Sequence, residues 1–475
     1  MKLNRMSTKS AFLWNGIGKL GQYAISFGVN ILLARLLTPD IFGLVGLLSV
    51  FMVISSLLIE SGFRDALIRK SEVSEQEYTS VFYLNLAISI LVYILLFFLA
   101  PLIADFYGRP LLLPVSRAIF LTFVINSLSI VQTIHFEKQL DFKFLSKVNI
   151  FSGLLSGLLG IVMAYLNYGV WALISSYLVN TLFRTIALWA FSSWRPMKTY
   201  SHTAIKELFG FSYKLLLSGL FAHISANITQ LIIGKFYSIA QVGYYDRAVV
   251  LQRIPMTTLS DVLNQVSYPL LANNVENRKT LFALLVKFIC IVSVPLFLFL
   301  IVLAEPIIIL LLTKKWLAMV PYFQLLCVTG IMYPISILNS NVLKIYNHSG
   351  IILKNGIIRN TLLLIAIFFS YKLGVICMVF TIMLINTLFP FKAFYDLDRL
   401  VYKGIFLFYV KTIGTFFILG LCAASIMYFL PLESDSLFLI LMIKSIVGVI
   451  SYIGLTLIFQ KTTLMEVLKV VKTKK

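Results

Sequence analysis

Residues 11–60 read AFLWNGIGKLGQYAISFGVNILLARLLTPDIFGLVGLLSVFMVISSLLIE, and this stretch decides the architecture. Ala11 to Leu37 is one apolar run of helix length, ended by the break Leu37-Thr38-Pro39-Asp40. A second run then extends from Phe42 to Ile59. At ~1.5 Å of rise per residue, each is long enough to cross a ~30 Å hydrocarbon layer. The pair predicts a membrane hairpin with a tight turn. The same layout returns further along the chain. Leu20, Arg35, Thr38, Gly43 and Val50 correspond to Leu220, Lys235, Ser238, Gly243 and Val250, a repeat of pattern more than of letters. Two similar lobes of membrane helices are therefore expected.

Composition agrees with this reading. The chain is 60% hydrophobic and 12% charged, with a mean hydropathy of +0.94, far from the balance of a soluble domain. Helices apolar all round need lipid or protein on every side. The basic residues Lys2, Arg5 and Lys9 run straight into a full-length span, which reads as a retained first helix and not a signal peptide. Cys290, Cys327, Cys377 and Cys422 lie apart inside apolar runs. They suit small core hydrophobes and suggest neither a metal site nor a disulfide framework.

A net charge of +21 would fit a nucleic-acid binder, but its distribution excludes one. Fourteen apolar runs lie at 11–37, 41–60, 79–104, 112–136, 144–166, 169–191, 206–234, 241–268, 281–304, 316–343, 350–371, 374–395, 404–430 and 436–460. One alternating set of loops, with both termini, holds most of the Lys and Arg. The other holds only Arg35, Arg109, Lys235, Lys314, Lys315 and Lys372. Basic loops stay cytoplasmic, so both termini are expected inside and the number of spans is even.

Along the chain, outward turns fall at Asp105–Pro110, Asn167-Tyr168-Gly169 and Leu432–Asp435. Ala100-Pro101 reads as a turn that recurs at Glu305-Pro306. The first six runs then have no interior proline, whereas Pro255, Pro295, Pro334 and Pro390 fall inside later ones and should bend them. The organisation expected is all-α and polytopic: an N-lobe of helices 1–6 (1–191), a cytoplasmic linker (192–206) and a C-lobe of helices 7–12 (207–396). Helices 13–14 and a basic cytoplasmic tail (397–475) follow. Two parallel repeats of this kind are typical of secondary transporters that rock about a midplane cavity.

Ten basic residues sit within the apolar runs: Lys19, Arg117, Arg184, Lys214, Arg247, Arg253, Lys287, Arg359, Lys411 and Lys444. Lys214, Lys287 and Lys411, near inner ends, are expected to reach the headgroups. A mid-span cation facing lipid costs roughly 2.5–3.5 kcal/mol, so the others must face water, an acid or a ligand. Acids within spans are few: Glu60, Asp246 and Asp261. Asp246 and Arg247, being adjacent, point to different sides of a helix and are not expected to pair. The surplus of cations predicts a wet chamber for an anion, and Arg suits phosphate through its planar fork. No phosphate-binding Gly-rich loop and no His-Glu-x-x-His is present. All outward loops are short, which speaks against an enzyme.

The passage Glu60-Ser61-Gly62-Phe63-Arg64-Asp65-Ala66-Leu67-Ile68-Arg69, followed by Ser80-Val81-Phe82-Tyr83-Leu84-Asn85, resembles polysaccharide export flippases. These are the Wzx-type members, in the colanic-acid and teichuronic-acid branch, of the multidrug/oligosaccharidyl-lipid/polysaccharide exporter superfamily. The likeness continues through Gln139-Leu140-Asp141-Phe142-Lys143 and Val242-Gly243-Tyr244-Tyr245-Asp246-Arg247-Ala248. Arg64-Asp65 departs from the family's smaller residues. The resemblance implies fourteen transmembrane helices, as two six-helix lobes in a V plus two C-terminal helices. It implies a flippase in the bacterial cytoplasmic membrane that turns an undecaprenyl-diphosphate-linked oligosaccharide outward by alternating access, with membrane lipids and polysaccharide polymerase machinery as partners. The diphosphate is expected among Lys19, Arg117, Arg184, Arg247 and Arg253. Glu60, Asp246 and Asp261 are candidates for proton or sodium coupling; no metal or organic cofactor is expected. The alternative is a multidrug or organic-cation antiporter of the same superfamily, which calls for a carboxylate deep in the cavity; the first span offers none.

Overall fold

A computed structural model describes residues 8–60, 63–70, 72–431 and 436–472, and for parts of the first, third, eighth and last helices it describes the backbone alone. The basic amino terminus, Ser61-Gly62 of the loop passage, Ser71, the Leu432–Asp435 turn and the last three residues lie outside the described residues. All regular structure among the described residues is helical. In hydrocarbon the backbone must satisfy its own hydrogen bonds, which leaves helices or closed barrels as the options. Two units result, one ending at Gly243 and one beginning at Tyr244.

The first unit contains α1 (Thr8–Leu36), α2 (Pro39–Glu60), α3 (Phe63–Arg69), α4 (Glu75–Tyr107), α5 (Leu112–Lys138), α6 (Phe142–Tyr165), α7 (Val170–Phe191), α8 (His202–Phe236) and the start of α9 (Ile239–Asn273). The second holds the rest of α9, then α10 (Arg278–Val302), α11 (Ala304–Leu312), α12 (Val320–Ile345), α13 (Ser349–Ser370), α14 (Val375–Leu400), α15 (Ile405–Phe429), α16 (Leu437–Phe459) and α17 (Lys461–Lys472). Each of the fourteen apolar runs coincides with a long helix. Eleven of these are long and apolar enough, among the described residues, to cross a membrane; α1, α8 and α9 are not among them. In α9 the reason is visible: Asp246, Arg247, Arg253 and Asp261 dilute its apolar surface.

Local chemistry sets the boundaries. Ser74 and Glu77 form a reciprocal capping box that starts α4. Gly108, at φ +62°, ends α4 in the left-handed conformation that glycine tolerates. Pro101 corrects an expectation, because it lies inside α4 and makes no turn with Ala100. Pro101 has no N–H for the Phe97 carbonyl, which accepts instead from Arg117 Nε (3.4 Å), and the helix continues to Tyr107. Pro306, its counterpart, sits in the first turn of α11, where no backbone donor is needed. Cys377 and Cys422 are exposed and not core residues, whereas Cys290 and Cys327 are buried.

Glycine decides how closely the helices of the first unit approach. A Cβ on Gly43 would stand 2.1 Å from the Ile239 carbonyl oxygen, and one on Gly243 would stand 2.1 Å from that of Pro39. The repeat-related first turns of α2 and α9 thus rest on each other reciprocally. A Cβ on Gly157 of α6 would lie 2.4 Å from Val29 of α1.

The passage Ser80–Asn85 acquires a structural role. Residues 192–201 run along α4, with Met197 N–H donating to Thr79 Oγ1 (3.2 Å), Ser201 N–H to Ser80 Oγ (2.8 Å) and Tyr83 Oη to Met197 O (3.0 Å). Trp194 is buried against Tyr78 and Phe82. Arg64, on α3, fastens that helix to α5 through Glu137 (Nε–Oε2 3.3 Å). In the second unit, Phe394 and Tyr409 stack at 4.2 Å in the core of α14 and α15. Lys287 pairs with Glu466 at 2.9 Å and holds α17 to α10.

Candidate functional site

Helices α1, α6 and α7 wall a polar cavity of about 400 Å³ inside the first unit. Its chemistry comes from side chains spaced by one helical turn. Gln22, Ser26 and Asn30 recur every fourth residue on α1, and Ser176, Asn180 and Arg184 do the same on α7. Asn149, Gly153 and Ser156 complete the wall from α6. The small residues make the space: Gly18 and Gly157 let α1 lie close to α6, while Gly160 admits Ser176 and Ala172 of α7.

Hydrogen bonds fix the polar lining. Ser176 Oγ donates to the Ser156 carbonyl (2.9 Å), and Asn180 Nδ2 donates to Ser156 Oγ (3.2 Å). Asn30 Nδ2 donates to the Ser26 carbonyl (2.7 Å). Arg184 alone is charged among the described lining residues. Its guanidinium donates to two neutral groups on α5, Asn126 Oδ1 (3.5 Å) and Thr133 Oγ1 (3.3 Å), and forms no ion pair among the described residues. These two long bonds leave other N–H donors of the planar fork uncommitted. The site is suited to hydroxyl-rich and anionic ligands: amides and hydroxyls for the first, one guanidinium for the second.

The other expected cations do not converge here. Lys19 is exposed on α1. Arg117 turns toward α4, with Nε 3.4 Å from the Phe97 carbonyl and its guanidinium 3.9 Å over the Phe97 ring. Arg253 is exposed on α9 in the second unit. Arg247 corrects an expectation: it chelates Asp246 Oδ2 through Nη2 (2.7 Å) and Nε (3.1 Å). The two Cα–Cβ vectors diverge, but an arginine has length enough to fold back. Of the acids, Glu60 is half-buried at the end of α2 and Asp261 is exposed. The uncharged stripes were missed because attention to charge passes over Ser, Asn and Gln. The signal that could have found them is polar residues at fourfold spacing inside otherwise apolar runs.

The sequence profile of a family described as "Polysaccharide biosynthesis protein" matches residues 32–321. The chain belongs to that family. This agrees with the resemblance carried by the passages at Glu60–Arg69 and Ser80–Asn85. The chain is 28% identical to the teichuronic acid biosynthesis protein TuaB of Bacillus subtilis, over 64% of this chain and 66% of that protein. It is 24% identical to the lipopolysaccharide biosynthesis protein WzxC of Escherichia coli, over 69% of this chain and 68% of that protein. The matched region spans about two thirds of each relative and slightly less of TuaB. Among solved structures, the inward closed conformation of the lipid II flippase MurJ has a TM-score of 0.80 at 13% identity, covering 95% of this chain and 100% of that one. That likeness is one of fold. This family member is a multi-pass membrane protein.

Proposed function

We propose that the chain is a flippase that moves an undecaprenyl-diphosphate-linked oligosaccharide from the inner to the outer leaflet of the bacterial cytoplasmic membrane, for cell-surface polysaccharide assembly. The observation that carries this reading is Arg184, a cation that makes no ion pair among the described residues, set in a pocket of amides and hydroxyls. A cation placed inside a membrane span is costly, and an anionic ligand offsets that cost. Sugar hydroxyls match the stripes on α1 and α7. The names of TuaB and WzxC, with the MurJ-like fold, support the same substrate class.

The reading includes fourteen spans in two six-helix lobes, two C-terminal helices, and both termini in the cytoplasm. The lobes are those drawn from the sequence, 1–191 and 207–396 about the 192–206 linker, with 397–475 beyond. Lys19, Arg117 and Arg253 serve the diphosphate at other stages of the cycle, and Arg247 does so by exchanging Asp246 for it. Glu60, Asp246 and Asp261 serve proton or sodium coupling, and polymerase machinery receives the product. The reaction is transport, not catalysis. An organic-cation antiporter is the weaker reading, since the pocket offers a drug cation no carboxylate.

Arg184→Gln should reduce export at least tenfold at normal membrane abundance, with the lipid-linked intermediate accumulating on the inner leaflet; Arg184→Lys should retain part of it. Wild-type export by Arg184→Gln would overturn the proposal.

A further inference from the structure

A second cavity in the first unit has different chemistry. It is a groove of about 630 Å³ between α2, α4 and α8, lined by apolar side chains that include Phe51, Leu99, Leu102, Phe106 and Leu231, with Lys235 as its one charged residue. The lining on α4 runs from Leu99 to Tyr107 and that on α8 from Ile228 to Phe236, the last two turns of each helix. The groove therefore opens at the helix ends and descends about 12 Å, at ~1.5 Å per residue, against the ~15 Å depth of one leaflet. Helix α8 sits close against α2 beside it. A Cβ at Gly234 would stand 2.0 Å from Leu47 Cδ2, so glycine permits this approach.

Lys235 marks the polar end. Its Nζ donates to the Phe106 carbonyl (2.6 Å) and lies 4.1 Å over the Phe106 ring, and it forms no ion pair among the described residues. An ammonium has three donors, so two remain for a ligand beside the mouth of the groove. One cation at headgroup level above an alkyl-lined slot one leaflet deep is complementary to a lipid with a single phosphate and net negative charge. A zwitterionic headgroup brings its own ammonium against Lys235, and a diphosphate carries more charge than one lysine balances.

We propose that this groove is a binding site for an anionic glycerophospholipid of the phosphatidylglycerol class, whose acyl chain lies against α4 and α8 and whose phosphate meets Lys235. The lipid fills a space the helices leave open and fastens α8 to α2 and α4. The site stands apart from the Arg184 pocket, and its test is independent of what the chain transports.

The test is native mass spectrometry of the purified, delipidated full chain, titrated with phosphatidylglycerol or phosphatidylethanolamine of identical acyl chains. A surface Lys contributes enough for about a fivefold preference for the anionic lipid. That preference should vanish in Lys235→Gln and, with the slot filled, in Leu102→Trp. It should persist in Lys372→Gln, which removes an exposed cation of the second unit. Gel-filtration profiles matching wild type establish that each variant is folded. Equal retention of the two lipids by wild type, an undiminished preference in Lys235→Gln, or an equal loss in Lys372→Gln would each overturn the proposal.

Discussion

Gly43→Ala tests the closest helix approach in the first unit. The added Cβ would lie 2.1 Å from the Ile239 carbonyl oxygen, where ordinary contact begins at 3.4 Å, so α2 and the first turn of α9 must part by about 1.3 Å. The obstacle is backbone, with no rotamer to yield. Overpacking of this kind costs typically 1–3 kcal/mol, and the rigid neighbour puts the cost near ~3. Alanine returns up to ~1 kcal/mol through its better helix propensity, leaving about 2 kcal/mol of net destabilisation. For a unit of this size that lowers Tm by about 4–8 °C. Scan-rate-matched melting of purified protein reads the effect, with Gly356→Ala as control because nothing lies within 4 Å of its added Cβ. Gly243→Ala should behave like Gly43→Ala, since its Cβ meets the Pro39 oxygen at 2.1 Å. The double variant should fall short of additivity, because one separation relieves both clashes. A Gly43→Ala melt within a degree of wild type, or strictly additive losses, would refute the reciprocal contact.

Arg195 donates to the carbonyls of Ser192 (2.6 Å), Trp194 (2.8 Å) and Trp189 (2.7 Å), closing the end of α7 over the following segment. Arg195→Ala should cost about 1–3 kcal/mol locally and speed tryptic cleavage at Lys198; unchanged cleavage would count against the clamp. The Lys287–Glu466 pair has side chains 22% and 53% exposed, so Glu466→Gln should cost no more than ~1 kcal/mol. That difference should disappear at about 1 M salt, where screening acts within ~3 Å, and a salt-independent loss would show that α17 is held by something else.

Much of the fold was legible in the sequence because the bilayer imposes a simple rule on composition. A run of twenty apolar residues has few places to go, so the fourteen runs fell where long helices formed, and the glycines and asparagines at Gly108 and Asn167 marked their turns. The recurring Gly43 and Gly243 also announced a repeat. What the letters could not settle was which face of each helix meets which neighbour. Arg184 stood in the sequence as one of ten similar cations. Only the close packing of α1, α6 and α7, permitted by Gly18, Gly157 and Gly160, gathered the uncharged stripes around it. Arg117 and Arg247 read alike from sequence, yet one was spent on Phe97 and the other on Asp246. Hydropathy along a chain fixes where helices begin and end. The rotation of each helix about its axis is fixed by contacts between distant residues, and that rotation decides whether a charge is structural or available to a ligand.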